Sequence, residues 1–492
     1  MKRTNVFAVL MGALLLVPCW GNAQIARYDI VQYGAVSDGK TNNAAAINRA
    51  IAAAARAGGG TVVVPPGDYM SGPINILSNV TLHLEAGSMI RGSTRLEDYW
   101  VPPAGGEAAK ESAGSLAPEQ GSGAPPGRTL AALITATNAN NIAITGRGII
   151  DGSALAFMNT NQVLDLNYAH RDAGYWIPSL VRQGEDFLSP KFGNQDSPFV
   201  PKPRPANMLQ INHCDNVMIT GVTIQNAPIG SWVTNSRYVD IIGVKINGFA
   251  SNRRVPNDDG IHLTDSRFIH IAGCDIQTGD DSIALHGVED LTVTNCTLSS
   301  HDSAIRVGDD DGEIRNCTFS NLVIFSTTRG INVYLRGTGV IENVLFDNIV
   351  IQTQLFTGYW WGKGEPIHIS SVMKAGTKTT GVIRDLRFSN IIANSEGGIL
   401  IYGTKDSIIR DILLDRVKLK IKAGPYTESL GGNFDLRGWV PPELTVFKHD
   451  IPGLYGGYVD GLKLSNFEVE WEGKFPSSSH MGSNAITSGT WR

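Results

Sequence analysis

One short pattern, aliphatic-x-small/polar-x-x-aliphatic, recurs from Ile219 to Leu414 and constrains the fold more than any other feature of the chain. It reads Ile219–Ile224, Ile241–Ile246, Ile271–Ile276, Val293–Leu298, Ile314–Phe319, Ile341–Phe346, Ile383–Phe388 and Ile409–Leu414. Successive copies start 22, 30, 22, 21, 27, 42 and 26 residues apart, a base unit of about 22 residues with loops inserted at some turns. A unit this short cannot bury its apolar face alone. Stacked on its neighbours it forms a parallel β-solenoid, an all-β fold with the aliphatic positions in columns inside the cylinder. The 55 glycines of the 492 residues suit so turn-rich a chain. Asn295 and Asn316 take equivalent pattern positions, so they are expected to stack on one bend and hydrogen-bond along it. Cys274, Cys296 and Cys317 likewise share a position. Neighbouring coils lie about 4.8 Å apart, within disulfide reach, but in-register side chains point in parallel, and buried thiols are expected over a bridge. No polar co-ligand recurs there, so no metal is expected.

The N-terminus reads as an export signal over residues 1–23. Lys2 and Arg3 precede the apolar run Val6–Val17, and Gly21-Asn22-Ala23 supplies small residues before a cut at Gln24. The run is too short for a membrane span, and Pro18 and Trp20 around Cys19 fit lipid attachment badly. The expected location is periplasmic or secreted. A strand over Tyr28–Gly39 is expected next, then a helix over Ala44–Ala57, capped by Thr41 or Asn42 and stopped by Gly58-Gly59-Gly60. This helix is expected to cover the open N-terminal end of the solenoid, whose unpaired strand edges would otherwise aggregate. Short strands follow at Thr61–Val64, Ile74–Ile76, Val80–Leu84 and around Ile90. Residues 102–128 and 151–205 break the rhythm and read as insertions in a single domain, 24–473, followed by a polar tail, 474–492. With 41 basic against 46 acidic residues, the chain has no nucleic-acid footprint.

The candidate chemistry lies in Pro256–Gly287, which holds two Asp-Asp pairs, Asp258-Asp259 and Asp280-Asp281. Either Asn-Asp or Gly-Asp-Asp alone is an ordinary turn. Their separation singles them out: Asp259 and Asp280 are spaced by very nearly one repeat, so they are expected one above the other on adjacent coils, with Asp281 alongside. Like charges that close cannot all ionise easily, and at least one carboxyl should hold its proton. One acid beside one or two carboxylates is what inverting glycoside hydrolysis needs.

Over most of the chain outside the insertions the sequence resembles the polygalacturonase family, glycoside hydrolase family 28. The resemblance rests on Tyr33–Lys40, Gly58–Pro65, Gly72-Pro73-Ile74 through Asn79–Glu85, Ile144–Gly152, Arg204-Pro205 and Asn226–Trp232. It extends to Asn257-Asp258-Asp259, in place of the family's Asn-Thr-Asp, and to Gly279-Asp280-Asp281. The resemblance implies a right-handed parallel β-helix and inversion. It implies Asp280 as general acid, Asp259 and Asp281 as the pair that activates water, and Asn257 as part of the binding motif. Two family motifs are absent. Ser299–Gly308 replaces the family's Gly-His-Gly, leaving His301 or Asp302 to fill that space. Asn332 and Tyr334 stand where the family has the Arg and Lys that grip a substrate carboxylate.

Arg306, Arg329 and Arg336 are candidate replacements for that grip, although an arginine on a solenoid face is commonly a solvated partner of an acid. The loss of the basic motif points away from plain galacturonan, toward a pectin-like or related, branched or acidic polysaccharide. Tyr359, Trp360 and Trp361 could stack on sugar rings or plug a loop. Tyr99, Trp100, Tyr175 and Trp176 could close one end of a cleft. His262, His270, His286 and His368 lack zinc-site spacing, and Asp309-Asp310-Asp311 reads as a solvated turn. No cofactor is expected, and the partner is a polysaccharide or oligosaccharide. Two other readings stay open: a β-helix polysaccharide lyase or epimerase working with calcium, and a glycan-binding solenoid without turnover.

Overall fold

The computed structural model describes residues 26–102, 125–163, 196–248, 254–357, 360, 362–373, 381–427 and 452–474. The proposed signal segment, most of both insertions, Tyr175, Trp176, Tyr359, Trp361 and all but Lys474 of the tail lie outside them. From Arg27–Asp29 to Lys463–Glu472 the strands of one long sheet pair in parallel, coil upon coil, as a right-handed β-helix, while Trp100–Val101 with Thr129–Leu130 and Met158–Val163 with Phe199–Pro201 form two small antiparallel pairs outside it. Strand side chains alternate in and out, and the inward ones form columns. One column runs through Ile150, Ile224, Ile246, Ile276, Leu298, Ile324, Ile351, Ala393 and Leu419. Where a column can hold rings it does: Phe346 lies between Phe319 and Phe388, stacked at centroid distances of 4.9 and 4.7 Å. These are close to the coil spacing itself, which is why identical rings stack in register here.

The helix forms over Ala44–Arg56 and buries Ala46, Ile47, Ala50, Ile51 and Ala54. It packs on the first-coil strands Arg27–Asp29 and Gly60–Val64. Asn42 Oδ1 accepts the N–H of Ala44 at 3.0 Å, and Gly58 turns the chain away at φ +92°. The strand before the helix is shorter than expected. It ends at Asp29, whose carboxylate accepts the Val31 N–H and starts a 3-10 turn over Ile30–Tyr33.

The repeat register departs from the sequence spacing at one place. Val293 lies opposite Phe319, and Leu291 opposite Cys317, so the step there is longer than the distance between the two pattern copies. The copies are not equivalent, because each coil turns twice with the same chemistry. Asp290 and Asn295 form successive left-handed bends of one coil, Asn316 and Asn321 of the next, and Asn and Asp are the non-glycine residues that tolerate this backbone best. Asn316 therefore donates to Asp290 at 3.0 Å and accepts from Asn343 at 2.7 Å. Asn295 lies on the other bend, in line with Asn321, which accepts from Asn348 at 2.7 Å. The expected Asn295–Asn316 stack is thus two separate ladders. The cysteines divide in the same way: Cys274 and Cys296 are stacked, the Cys274 N–H lying 3.4 Å from the Cys296 sulfur, while Cys317 sits in the column of Leu291 and Val344. All four described cysteines are free thiols in the interior.

Candidate active site

Inward positions make the core, and the outward positions between them make the floor of the site. Trp232, His262, Ala284, Arg306, Asn332 and His368 follow one another in register across six coils on one face. The acidic residues sit at the edge of this face, where adjacent coils stack without a bulge: Ile261 pairs with Ile283, and the Gly260 N–H donates to the Asp281 carbonyl at 2.9 Å. This register places Asp258 beneath Asp280 and Asp259 beneath Asp281. The expected vertical pair Asp259–Asp280 is one residue out, because the coil here is one residue longer than their separation. The next coil brings Asp302, and carboxylate oxygens of Asp280, Asp281 and Asp302 lie within 4.8 Å of one another.

Each carboxyl has its own surroundings. Asp280, half-buried, is aimed by its neighbours: its Oδ1 accepts the Asp281 N–H at 3.0 Å, and its Oδ2 accepts from the backbone and side chain of Asn257 at 3.2 and 3.4 Å. Asn257 is held in turn by Arg204, 2% exposed, whose guanidinium donates to Asn257 Oδ1 at 2.7 Å and to the carbonyls of Pro228 and Pro256 at 2.8 and 2.7 Å. Asp258 is buried, and its Oδ1 accepts the N–H groups of Gly279 and Asp280 at 2.7 and 2.9 Å, fixing the turn that carries the acid. Burial pushes the Asp258 carboxyl well above the usual range, against the pull of these amides. Asp259 accepts from His262 Nδ1 at 2.7 Å. Burial, with Arg306 adding, drives the His262 imidazole down to about 3, so the ring is neutral and Nδ1 carries the proton. Its face stacks on Trp232 at 4.1 Å.

Arg306 ties the floor together. Its Nε donates to Asp281 Oδ2, Nη1 to the Gly308 carbonyl and Asp309 at 3.1 and 3.2 Å, and Nη2 lies 3.9 Å from Asp259. Burial disfavours its charge, but the Asp281, Asp309 and Asp259 carboxylates around it hold it protonated well beyond the ordinary range. Asp281 Oδ1 makes no hydrogen bond among the described residues. Arg336 pairs with Asp309 and, at 3.0 Å, with Asp310, and lies 5.5 Å above the Tyr334 ring. Asp309 and Asp310 are therefore anchors for two arginines rather than a purely solvated turn. Arg329 is fully buried beside the buried Glu365 at 3.6 Å, and so is no solvated surface cation either.

His301 lies between Phe356, stacked at 3.9 Å, and Trp360, edge-on at 5.3 Å. Its Nε2 accepts from Arg254 at 3.4 Å, and burial, with Arg254 adding, lowers its pKa far below the usual value. Trp360 donates to the Asp196 carbonyl at 2.5 Å, and the Asp196 carboxylate accepts the N–H and hydroxyl of Thr357 at 3.0 and 2.8 Å. The end of the second insertion thus straps the aromatic loop down over His301. Asn332 donates to Ser303 at 3.2 Å and is fully buried, as is Asp302, which accepts from the Ser303 hydroxyl at 3.0 Å. Tyr99 does not border a cleft; it packs against Phe157 and bonds the Ser93 carbonyl at 3.1 Å, inside the core. The sequence alone assigns no site role to Arg204, Asp258, His262, Trp232 or Arg254. The signal available for His262 is its outward position in the strand just after Asp259. Nothing local to Arg204 shows that Asn257 is its partner.

A carboxylate site on the outer face of a right-handed parallel β-helix defines a class of polysaccharide-active proteins, and comparison with known proteins narrows it. The family model described as "Glycosyl hydrolases family 28" matches residues 193–430, and "Rhamnogalacturonase A/epimerase, pectate lyase-like" matches 28–90. The endo-polygalacturonase of Pectobacterium carotovorum is 23% identical over 364 residues, covering 71% of this chain and 77% of its own. Among solved structures, an exopolygalacturonase from Thermotoga maritima superposes with a TM-score of 0.60 at 20% identity, over 90% of this chain and 92% of that one. The family 28 exopolygalacturonase of Yersinia enterocolitica gives 0.60 and 20%, over 92% and 77%. Over residues 193–430 the chain is similar to glycoside hydrolase family 28, and its coils share the β-helix fold of these polygalacturonases.

Proposed function

We propose that the protein hydrolyses glycosidic bonds of a pectin-like or related polysaccharide with inversion at the anomeric carbon. Asp280, half-exposed at the rim and aimed by Asn257 and its own turn, delivers a proton to the glycosidic oxygen as the bond to the anomeric carbon breaks. Water attacks that carbon from the opposite side and gives its proton to the Asp259/Asp281 pair, leaving a hemiacetal of inverted configuration. The observation that carries the reading is the contrast between these carboxyls: Asp281 is bound to Arg306 with one oxygen left to accept from water, while Asp280 stands at the exposed edge. His262 keeps the Asp259 carboxylate oriented. His301, buried between Phe356 and Trp360, belongs to a packed aromatic plug beside the acids rather than to a sugar-stacking surface. The N-terminal segment and the polysaccharide substrate together support export, to the periplasm or beyond.

The test is Asp280→Asn, which should abolish release of reducing sugar while leaving circular dichroism and the unfolding midpoint unchanged; undiminished turnover refutes the assignment. Proton NMR of the first product anomer then reads inversion directly. The Asp280, Asp281 and Asp302 oxygens are close enough to hold a cation, which is what a lyase would need. Ultraviolet-absorbing unsaturated product that disappears on chelation would replace hydrolysis with elimination. The expected result is saturated product at an unchanged rate in EDTA.

A further inference from the structure

The reaction centre is rich in acids whose countercharges are already engaged. Arg306 is taken up by Asp281 and Asp309, Arg336 by Asp309 and Asp310, and Arg329 by Glu365. Asn332, next along the floor from Arg306, is uncharged. Next to Arg306 on this floor, two acceptors among the described residues are left with unused capacity, Asp281 Oδ1 and Asn332 Oδ1, both buried and without hydrogen bonds; Trp232 Nε1, a neutral donor without one, lies three coils from Arg306 in the same row. Acceptors want donors. A sugar hydroxyl supplies one, whereas an ionised carboxylate brings only further acceptors and a like charge.

From this we propose, resting on the hydrolase reading above, that the sugar whose anomeric carbon reacts carries no carboxylate. Its hydroxyls donate toward these acceptors, directly or through a bound water, and any uronic acids of the same polysaccharide bind away from the cleaved ring. Arg306 orients the catalytic acids, Arg336 and Arg329 are held by Asp309, Asp310 and Glu365, and none of the three grips substrate. One more negative charge about 5–6 Å from an acid of this cluster costs on the order of a hundredfold in affinity at an effective dielectric near 20, and the penalty shrinks as salt screens it.

The test uses the full-length Asp280→Asn protein and two probes that differ only in charge: digalacturonic acid and its carboxyl-reduced form, titrated calorimetrically at low and high salt. The reduced form should bind at least about tenfold more tightly at low salt, with the gap narrowing in salt. Equal or tighter binding of the acid form, including binding of neither, overturns the proposal. In parallel, wild-type protein digests a pectic polysaccharide containing both sugar types in heavy-oxygen water, and the labelled new reducing ends are identified. Neutral sugars should carry the label, and uronic acid at every labelled end overturns the proposal. If the wild type cleaves nothing while the variant still prefers the neutral probe, the hydrolase reading falls and the charge preference stands.

Discussion

Arg204 precedes Asn257 by more than two coils of sequence, yet through Asn257 it sets the aim of Asp280. Its guanidinium makes hydrogen bonds of 2.7 to 2.8 Å to two carbonyls and to Asn257 Oδ1. Bonds involving a charged donor contribute about 1.5–3 kcal/mol each. A lysine at this site is shorter and has no fork, so it keeps one acceptor at best and forfeits two bonds, about 3–6 kcal/mol gross. Water entering the gap recovers part of this, leaving a destabilisation of about 2–3 kcal/mol. The effect on turnover comes from Asn257, which no longer holds Asp280 Oδ2; a displacement near 1 Å costs on the order of a hundredfold. The assay is kcat/KM for Arg204→Lys, Asn257→Ala and the double variant, at a temperature where circular dichroism shows all three folded. If Arg204 acts through Asn257, the two losses do not multiply, and the double variant falls within about threefold of Asn257→Ala. Independent, multiplying losses refute the argument, as does wild-type turnover in Arg204→Lys.

The remaining predictions concern stability. Phe346→Ala removes a fully buried ring from between two stacked partners; the cavity costs about 3–5 kcal/mol and the two lost stacks about 1 kcal/mol more. Urea unfolding reads this, and a loss below about 2 kcal/mol contradicts the packing described. The two buried histidines should also cost stability as pH drops below 6.5, the ordinary histidine value. His262 and His301 are held neutral when folded but take up protons when unfolded, so acid favours unfolding by up to about 1.4 kcal/mol per histidine per pH unit. Asp258 works in the opposite sense: its raised folded pKa stabilises the fold at low pH, and that contribution is lost as pH rises above the unfolded value of 3.8. Glu396, whose carboxyl burial also raises, acts in the same sense as Asp258, so the histidine contribution is read by difference: His262→Asn should lower the slope of stability against pH between about pH 4 and pH 6.5 by up to about 1.4 kcal/mol per pH unit. A slope unchanged in that variant refutes the burial argument.

The fold was legible because a β-helix writes itself as a one-dimensional rhythm: the aliphatic residues of each coil face inward whatever the loops do, so Ile276, Leu298 and Ile324 announce themselves. The register was less legible, since two bends in one coil use the same Asn and Asp chemistry. The pattern around Cys317 matches the wrong bend, and only hydrogen-bonded pairing shows that Phe319 lies over Val293. That ambiguity matters because register decides which carboxyls meet. A one-residue error in coil length exchanges Asp258 for Asp259 as the neighbour of Asp280, turning a buried positioning acid into an apparent catalytic partner.

Charge pairing was the least legible property, and it is the one that separates this site from a simple cluster of acids. Sequence places Arg306, Arg329 and Arg336 near the acidic residues but does not say toward what they point. Coil stacking turns Arg306 along the floor, between Asp281 and Asp309, while the loop containing Glu365 folds back onto Arg329. Removing a buried partner of such a pair leaves an uncompensated charge, which costs about 3–5 kcal/mol, so these contacts cannot be exchanged cheaply for contacts to a passing ligand. An arginine committed in this way fixes where an acid sits and which charge it faces. The same backbone that brings the carboxyls together therefore also gives them different electrostatic surroundings, and a reaction needing both an acid and a base can run on one strip of sheet.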